Sequence, residues 1–410
     1  MPVIDTAWLV RQLRALPIKP DERVAVAVSG GADSLCLAAL MRKAQMNLIA
    51  LTVDHGLRPE SAAEAAAVHA QMRRMKIPHE TLAWIGAKPK TRIEEIARDK
   101  RYALLTGFCR AHNIRFLFLA HHQNDQAETF WARLSRGSGP DGLAAMEECS
   151  GRDGVMLVRP LLNQPRQNIL DTMKKNRLTG VEDPMNNDTA FERVRWRVRQ
   201  KALSDMGLTP EQIGTSVRRL NRAKQALDFY TRQALAQSAR IYPQGYALIR
   251  RPDDYPADIQ IRLIQQLVET IGQSNRPVPL DFLENYLTQR PRITTIGECY
   301  LIRHKDGLYV AKEYARQEKP KRTQAHVLTT WDRFLVYATT DVLLSNRPGK
   351  RDNNLPHLAH QSLAQAAFGK TAVPVRYLTH DKELAKIIKN AYKKTQEKAV
   401  YLLLTRSRHV

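Results

Sequence analysis

Two serines, two glycines and an aspartate fall within one short segment that directly follows the apolar run 24–28. The adjacent glycines permit positive φ and let the backbone approach a ligand closely. The serine hydroxyls and the free N–H groups at the start of a following helix favour a bound anion. The alternative is a tight strand–helix turn that holds no ligand. The candidate phosphate-binding residues are Ser29, Gly30, Gly31, Ala32, Asp33 and Ser34.

The aspartate distinguishes this segment from a Walker phosphate loop. A Walker loop places a lysine on the β and γ phosphates of a nucleotide, whereas here Asp33 stands in the turn and no lysine does. An acid beside a triphosphate is favourable where it helps to hold Mg²⁺, which takes oxygen ligands. Asp33 is therefore a candidate catalytic residue and a candidate Mg²⁺ ligand.

Polar residues also follow two other apolar runs. Asp54 and His55 directly follow the run 48–53. The alternative for this pair is a plain loop with a capping aspartate. The run 115–120 leads into His-His-Gln-Asn-Asp-Gln-Ala-Glu, in which an acid pair is spaced to share one face of a helix. Such groups could bind an ammonium ion or a metal, or transfer protons; the alternative is a solvated first helical turn. The candidate residues of this second stretch are His121, His122, Asp125 and Glu128.

The three apolar runs predict the architecture that positions these groups. Runs without polar alternation suit strands that are buried on both faces of a parallel sheet. Helical patterns at 35–46, 61–75 and 92–112 separate them. Alternating strands and helices predict a doubly wound α/β domain, with its ligand beyond the carboxyl ends of the strands.

The pattern changes after about residue 205, and we predict three domains. The catalytic domain covers 1–205. A small, mostly helical domain follows at 206–318, with a helix that begins at Pro210 after a Thr209 cap. A charged linker precedes a small α+β domain at 325–410, which we expect to contain a basic helix at 381–398.

Composition and charge narrow the classes of partner. The 410 residues include 64 Lys and Arg against 41 Asp and Glu, a formal net charge of +23, which indicates a polyanionic partner such as nucleic acid. The four cysteines form no CxxC pair, so we expect reduced thiols and neither a zinc site nor a disulfide framework. No apolar stretch is long enough for a membrane span and the N-terminus lacks a signal pattern, so we expect a cytoplasmic protein.

The segment Ser29–Ser34 resembles the signature of the PP-loop ATP pyrophosphatases, which cleave ATP between the α and β phosphates. Further motifs resemble the tRNA(Ile)-lysidine synthetase family within that superfamily, in order and in spacing. They are SGGADS (29–34), VDHGLR (53–58), HHQNDQAET (121–129), RLSRGSGPDGLAAM (133–146) and RPLL (159–162). The resemblance is good over about 20–200 and weak from 205 onward.

Two arginine-rich segments extend the resemblance. ARDKRYALL (97–105) is similar to a family helix and carries Arg98 and Arg101, and EDPMNNDTAFERVRWRVR (182–199) is similar to a family segment with arginines in matching places. Met185 and Val194 depart from that pattern. The arginines matched in the second segment are Arg193, Arg195 and Arg197; WDRF (331–334) resembles a C-terminal pattern of some members.

The resemblance implies that lysine is joined to the wobble cytidine of a tRNA(Ile) with a CAU anticodon, through an adenylated cytidine, with release of AMP and pyrophosphate. It implies ATP and Mg²⁺ as cofactors, Asp125 and Glu128 as the lysine-binding pair, and Arg101 and Arg195 as groups that stabilise phosphate or RNA charge. Surface ion pairs are the alternative for these arginines. The oligomeric state, monomer or homodimer, stays open.

Three other functions compete with this one. A tRNA cytidine thiolase would share the ATP loop and the substrate class, but such enzymes often use CxxC thiolates, which this sequence lacks. A small-molecule synthetase of the amidotransferase type would not need a charge of +23. A tRNA-binding protein without activity would have no use for the acids of the His121–Glu128 stretch.

Overall fold

The structure is a computed structural model that describes residues 4–57, 60–89, 91–180, 192–242, 246–272 and 278–312, and eight short strands beyond them. The chain divides into two compact units, Met1–Gln225 and Ala226–Val410. The predicted division into 1–205, 206–318 and 325–410 stays a prediction.

A six-stranded sheet organises the first unit, in the order β3-β2-β1-β4-β6-β5. Five of its strands run parallel, and only β5 is antiparallel to its neighbour. The strands are β1 (Val24–Ala27), β2 (Leu48–Asp54), β3 (His79–Ala83), β4 (Phe116–Phe118), β5 (Cys149–Arg152) and β6 (Val155–Val158). The doubly wound parallel sheet predicted from the apolar runs is confirmed.

Nine helices of the described residues begin in this unit. Their bounds are α1 (Thr6–Leu13), α2 (Ala32–Lys43), α3 (Ser61–Arg74), α4 (Ile93–Ala111), α5 (Gln123–Leu134), α6 (Pro140–Leu143), α7 (Arg166–Lys175), α8 (Glu192–Asp205) and α9 (Pro210–Ser238). The first predicted helix starts at Ala32 rather than at Leu35, so Asp33 belongs to the first helical turn. Thr209 caps α9, since its Oγ1 accepts a hydrogen bond of 3.3 Å from the Gln212 N–H.

The inner strands β1, β2 and β4 are buried on both faces, which explains the unbroken apolar runs. Along β1, Val24 and Val26 pack in one hydrophobic cluster with residues of α2, whereas Ala25 packs in another with residues of α4. Strands covered on both faces lack the polar alternation of half-exposed strands. Helices therefore occupy the faces, and the strand ends are left to hold polar residues.

Helix α5 packs against α8 and α9, two helices that come later in the chain. Ile213 and Val217 of α9 pack against Ala127 of α5. Trp196 of α8 stacks on Trp131 of α5, with ring centroids 6.1 Å apart and an interplanar angle of 21°. The helix that begins with the HHQNDQAET motif therefore has partners on both later helices.

The second unit contains an antiparallel sheet in the order β7-β8-β11-β10-β9, packed with two helices around residues such as Leu263 and Leu301. The elements are β7 (Ala239–Tyr242), β8 (Tyr246–Ile249), α10 (Ala257–Gly272), α11 (Leu280–Gln289), β9 (Ile293–Ile296), β10 (Cys299–His304) and β11 (Gly307–Lys312). The sequence predicted the helical character here and did not predict this sheet.

Beyond residue 320 the described strands form two four-stranded sheets, in the orders β12-β15-β16-β17 and β13-β14-β19-β18. Their bounds are β12 (Lys321–Thr323), β13 (Leu328–Trp331), β14 (Phe334–Ala338), β15 (Val342–Leu344), β16 (Ala366–Phe368), β17 (Thr371–Ala372), β18 (Val375–Leu378) and β19 (Val400–Leu404). The predicted basic helix at 381–398 lies outside the described residues, as do most of the linker and positions 332 and 333.

Candidate active site

The candidate residues meet at one edge of the first sheet. Because β1, β2, β4 and β6 are parallel, their carboxyl ends lie together. Ser29 follows β1, Asp54 ends β2, His121 follows β4 and Arg159 follows β6. This edge is where open α/β sheets bind their ligands.

The turn after β1 has the shape of an anion site. Gly30 has φ of +89°, and a Cβ added to it would lie 2.8 Å from Val68 Cγ2, so glycine is required for both reasons. The Ser34 hydroxyl donates to the Gly31 carbonyl at 2.9 Å and accepts from the Ser29 N–H at 3.2 Å. Ala32 begins α2, whose first N–H groups have no partner within the helix and are available to an anion.

His122 connects this turn to α5. The residue is the N-cap of α5: its backbone N–H donates to Asp125 Oδ2 at 2.9 Å, and its Nδ1 accepts from the Asn124 N–H at 3.2 Å. Its Nε2 lies 3.6 Å from Asp33 Oδ2, and its Nδ1 lies 3.6 Å from Asp125 Oδ2. Burial lowers the pKa of His122, but the carboxylates of Asp125 and Asp33 outweigh burial and raise the pKa. A buried imidazole thus lies between two acids.

The pKa values of His121 and His55 are shifted downward, opposite to the shift of His122. Burial, with the positive charges of Arg159, Arg101 and Arg98, lowers the pKa of His121 to about 3 against the attraction of Asp125. Burial, Arg101 and Lys88 likewise lower the pKa of His55. Among the described residues, neither ring has a hydrogen-bond partner for its buried Nδ1. Both are neutral groups with hydrogen-bonding capacity to spare.

The two acids of α5 differ in exposure. Glu128 is buried, with 5% of its surface exposed, whereas the Asp125 side chain is 21% exposed. Gln126, between them, exchanges two hydrogen bonds with the backbone of Met146, which fixes α5 against the end of the glycine-containing loop 136–143. These contacts hold α5 in place, so Asp125 and Glu128 keep fixed positions on it.

The arginines require separate description. The guanidinium carbons of Arg98 and Arg101 each lie 5.6 Å from the centre of the Tyr102 ring. Arg195 is exposed on α8, next to the stacked Trp196. The side chains of Arg193 and Arg197 lie outside the described part of the chain. Arg159 opens the RPLL motif but was assigned no role, and it is buried beside this edge. Arg166, which the sequence did not single out, has its Nε 3.9 Å from Asp33 Oδ1. The apolar run before Arg159 was a signal that could have found it.

The residues at this edge suit a magnesium ion that is shared with a ligand. Asp33 Oδ1 is buried and, within the described part of the chain, accepts no hydrogen bond. No cluster of three or more His, Cys, Asp or Glu among the described residues could hold a metal by itself. Mg²⁺ commonly binds one or two carboxylates together with phosphates and water, so the single carboxylate of Asp33 fits it, with Arg166 Nε 3.9 Å from its Oδ1.

The chain is similar to known proteins over much of its length. Residues 6–205 match the family model described as a PP-loop domain. The tRNA(Ile)-lysidine synthase of Ruegeria pomeroyi is 36% identical over 304 residues, which cover 72% of each chain. That of Wolbachia pipientis is 35% identical over 326 residues, 76% of each chain, and that of Rhodopseudomonas palustris is 40% identical over 263 residues, 62% of this chain and 76% of its own.

A solved U34-tRNA thiolase from Methanococcus maripaludis is 19% identical, with a TM-score of 0.46, over 52% of this chain and 77% of its own. In the part of the chain that the structure describes, no helix is both long and apolar enough to cross a membrane.

Proposed function

This chain belongs to the tRNA(Ile)-lysidine synthase family of ligases, and we propose that it joins free lysine to the wobble cytidine of a tRNA(Ile) with a CAU anticodon. The cytidine carbonyl oxygen attacks the α-phosphorus of ATP, and pyrophosphate leaves. The lysine amine then attacks the activated ring carbon, and AMP leaves. We place this reaction in the cytoplasm.

One observation supports this proposal most directly: His122 lies 3.6 Å from a carboxylate on each side, Asp33 in the nucleotide turn and Asp125 on α5. The reaction needs an ATP site and an amine site close together, because the amine attacks a carbon that is bonded to the adenylate. The carboxylates on either side of His122 belong to the turn after β1, which would hold ATP, and to α5, which would hold lysine.

The acids of α5 suit the lysine substrate, which carries two ammonium groups before it loses a proton. Asp125 and the buried Glu128 would hold one of them through charge-assisted hydrogen bonds, which are stronger than neutral ones. The amine must be neutral to attack. One of these acids or an adjacent histidine would take its proton.

The nucleotide would be held by residues of the turn after β1. Backbone N–H groups near Ala32, with the hydroxyls of Ser29 and Ser34, would contact the phosphates, and Asp54 and His55 would line the site at the end of β2. Asp33 would hold Mg²⁺, which when bound neutralises the charge of the leaving pyrophosphate.

The positive charge suits the RNA partner. The wobble base must leave the anticodon stack to reach ATP, so the tRNA has to be gripped elsewhere by its shape and phosphates. The net charge of +23 provides that attraction. We assign Arg101 and Arg195 to the charge of the nucleotide or of the RNA backbone next to it.

The test follows labelled lysine into RNA. The chain is incubated with ATP, Mg²⁺ and labelled lysine, and either with the tRNA(Ile) transcript that has a CAU anticodon or with a tRNA(Met) transcript that has the same anticodon. We expect label in the first transcript, and none after its wobble cytidine is replaced by uridine. ATP-dependent change of the cytidine without lysine would favour a thiolase-like activity, and no label in any transcript would contradict the proposal.

A further inference from the structure

Thr52 is a buried polar residue of β2 that the proposed reaction does not use. It is 5% exposed, and its hydroxyl donates to the Val28 carbonyl at 2.7 Å. Val28 lies one residue beyond β1 and directly before the turn at Ser29–Ser34. Its N–H donates to the Leu51 carbonyl at 2.8 Å. Both backbone polar groups of the last residue before the turn are therefore bonded to β2.

The Thr52 hydroxyl also bonds to His79, the first residue of β3. Thr52 Oγ1 lies 2.8 Å from His79 Nε2. The hydroxyl has one proton, which it donates to the Val28 carbonyl, so it accepts the Nε2–H of the ring. Burial and the neighbouring His69 lower the pKa of His79 to about 4, so the ring is neutral at neutral pH. A neutral imidazole has one N–H, so the Nδ1 of His79 is an acceptor.

That acceptor faces helix α3. His69 Nδ1 lies 3.0 Å from His79 Nδ1, and the two rings meet edge to face with centroids 5.2 Å apart. Since His79 Nδ1 accepts, His69 donates through its own Nδ1–H. Val68, the preceding residue of α3, is 3% exposed, and its Cγ2 would lie 2.8 Å from a Cβ added to Gly30. The histidine pair thus fastens to β3 the helix that packs behind the turn.

These contacts reach the candidate phosphate turn from two sides. Thr52 holds the chain where it enters the turn, and the pair His69–His79 holds α3 behind Gly30. Packing alone does not require this arrangement, because valine would fill the space of Thr52 without burying a hydroxyl. A site that binds an anion through backbone N–H groups needs those groups fixed in advance, and hydrogen bonds behind the site provide this.

We propose that Thr52 and His79 are positioning residues for ATP: they hold the entry to the Ser29–Ser34 turn and the helix behind it, so that the turn presents its N–H groups to the phosphates. This inference rests on the proposed function, because it presupposes a nucleotide at the turn. It assigns neither side chain a contact with ATP.

The experiment uses the full chain with four substitutions. Thr52→Val keeps the shape and removes the hydroxyl, Thr52→Ser keeps the hydroxyl, and His79→Phe keeps a ring without nitrogens. The matched control is Thr231→Val on α9: Thr231 is 4% exposed, and its hydroxyl donates to the Leu227 carbonyl at 2.7 Å. Calorimetry gives Kd for ATP in the presence of Mg²⁺, without lysine or tRNA. KM for ATP and for lysine, the thermal midpoint and the nitrogen-15 shifts of His79 are also measured.

We expect Thr52→Val to raise both Kd and KM for ATP by about tenfold, as small displacements of binding groups do. KM for lysine should stay within about twofold of the wild type. Thr52→Ser and Thr231→Val should bind ATP as the wild type does. His79→Phe should weaken ATP binding by a smaller factor than Thr52→Val, because the bond from Thr52 to Val28 stays. The neutral His79 ring should be protonated at Nε2 in the wild type and should lose this fixed tautomer in Thr52→Val.

An unchanged Kd for ATP in Thr52→Val overturns the proposal. An equal loss of ATP affinity in Thr231→Val also overturns it, since a general loss of stability would do this. If Thr52→Val does not fold, two observations decide: wild-type ATP affinity in His79→Phe, or a wild-type His79 protonated at Nδ1, contradicts the proposal. A wild-type chain that binds ATP but incorporates no lysine instead contradicts the proposed function, so the two failures are distinguishable.

Discussion

His122 Nε2 lies 3.6 Å from Asp33 Oδ2, so the residue that caps α5 faces the carboxylate in the first turn of α2. Asp33→Asn should therefore lower the pKa of His122, because it removes one of the two carboxylates that raise it. A histidine NMR titration measures the change. The control is Asp21→Asn, at an exposed position before β1. An unchanged pKa of His122 in Asp33→Asn would contradict the arrangement.

The adjacent histidines should titrate on opposite sides of the ordinary value of 6.5. The pKa of His121 is lowered to about 3 and that of His122 is raised. At pH 5 we therefore expect a neutral His121 beside a protonated His122. The protonated Nδ1 of His122 then faces Asp125 as a donor and no longer accepts a hydrogen bond from the Asn124 N–H. Nitrogen-15 shifts of the imidazole rings measure both states, and two rings that titrate together would refute this prediction.

The same shifts predict how stability depends on pH. Below pH 6.5 the unfolded chain protonates His121 and the folded chain does not, so His121 destabilises the fold increasingly as the pH falls from 6.5 toward about 3. His122 has the opposite sign: its stabilisation is complete below pH 6.5 and is lost as the pH rises through its raised pKa. His121→Asn should flatten the acid side of the urea-unfolding profile relative to the wild type. His122→Asn should remove the loss of stability that His122 causes as the pH rises above 6.5 and should leave the slope below pH 6.5 unchanged.

Gly30 should tolerate no side chain. Gly30→Ala forces alanine to a φ of +89° and places Cβ 2.8 Å from Val68 Cγ2; the left-handed conformation alone costs roughly 1–2 kcal/mol. We expect lower stability and a KM for ATP that rises about tenfold or more, since tenfold corresponds to about 1.4 kcal/mol. Gly107→Ala is the matched control, because an added Cβ there meets nothing within 4 Å. In mid-helix, this change should stabilise by roughly 0.5–1 kcal/mol and leave KM unchanged.

Asp125→Asn and Glu128→Gln should weaken lysine binding more than ATP binding. Hydrogen bonds to charged groups contribute roughly 1.5–3 kcal/mol, so we expect KM for lysine to rise by about tenfold to a hundredfold at constant KM for ATP. Steady-state kinetics with each substrate varied in turn provide the comparison. Glu95→Gln, in an exposed ion pair with Arg92 on α4, is the control. A proportional rise in both KM values would argue against a separate lysine site.

The Trp131–Trp196 stack should determine how well α8 presents Arg195. Trp196→Ala removes an aromatic pair that contributes roughly 0.5–1.5 kcal/mol beyond its buried area, and we expect ligation to fall with little change in KM for ATP. Trp196→Phe should retain most of the activity. Trp8→Phe, on α1, controls for the loss of one indole. Full activity in Trp196→Ala would show that the stack does not position Arg195.

The sequence predicted the strand ends well, because strands buried on both faces leave an unmistakable apolar run before each polar residue. Ser29, Asp54 and His121 were found in this way. Arg159 opens the RPLL motif but was assigned no role, because the run Val155–Val158 before it was not predicted as a strand. The sheet of the second unit was not predicted, because its strands are only 4 to 6 residues long and several of them are only partly buried. What joins them is antiparallel pairing, which a linear pattern does not specify.

Relationships across the sheet could not be read from the sequence at all. The approach of His122 to Asp33 depends on β1 and β4 being neighbours, which a linear pattern does not specify. The opposite pKa shifts of two adjacent histidines depend on which charges surround each ring after folding. Residue type and spacing identified the groups, and only the strand order showed which of them lie together.

The central claim is that the turn at Ser29–Ser34 holds ATP for cleavage between its α and β phosphates. It is tested most directly by following ATP labelled at the α-phosphate in the complete reaction with lysine and the CAU-anticodon transcript. We predict one labelled AMP and one pyrophosphate for each lysine incorporated, and neither product with Asp33→Ala. Labelled ADP as the product, or AMP released without any dependence on the transcript, would contradict the account.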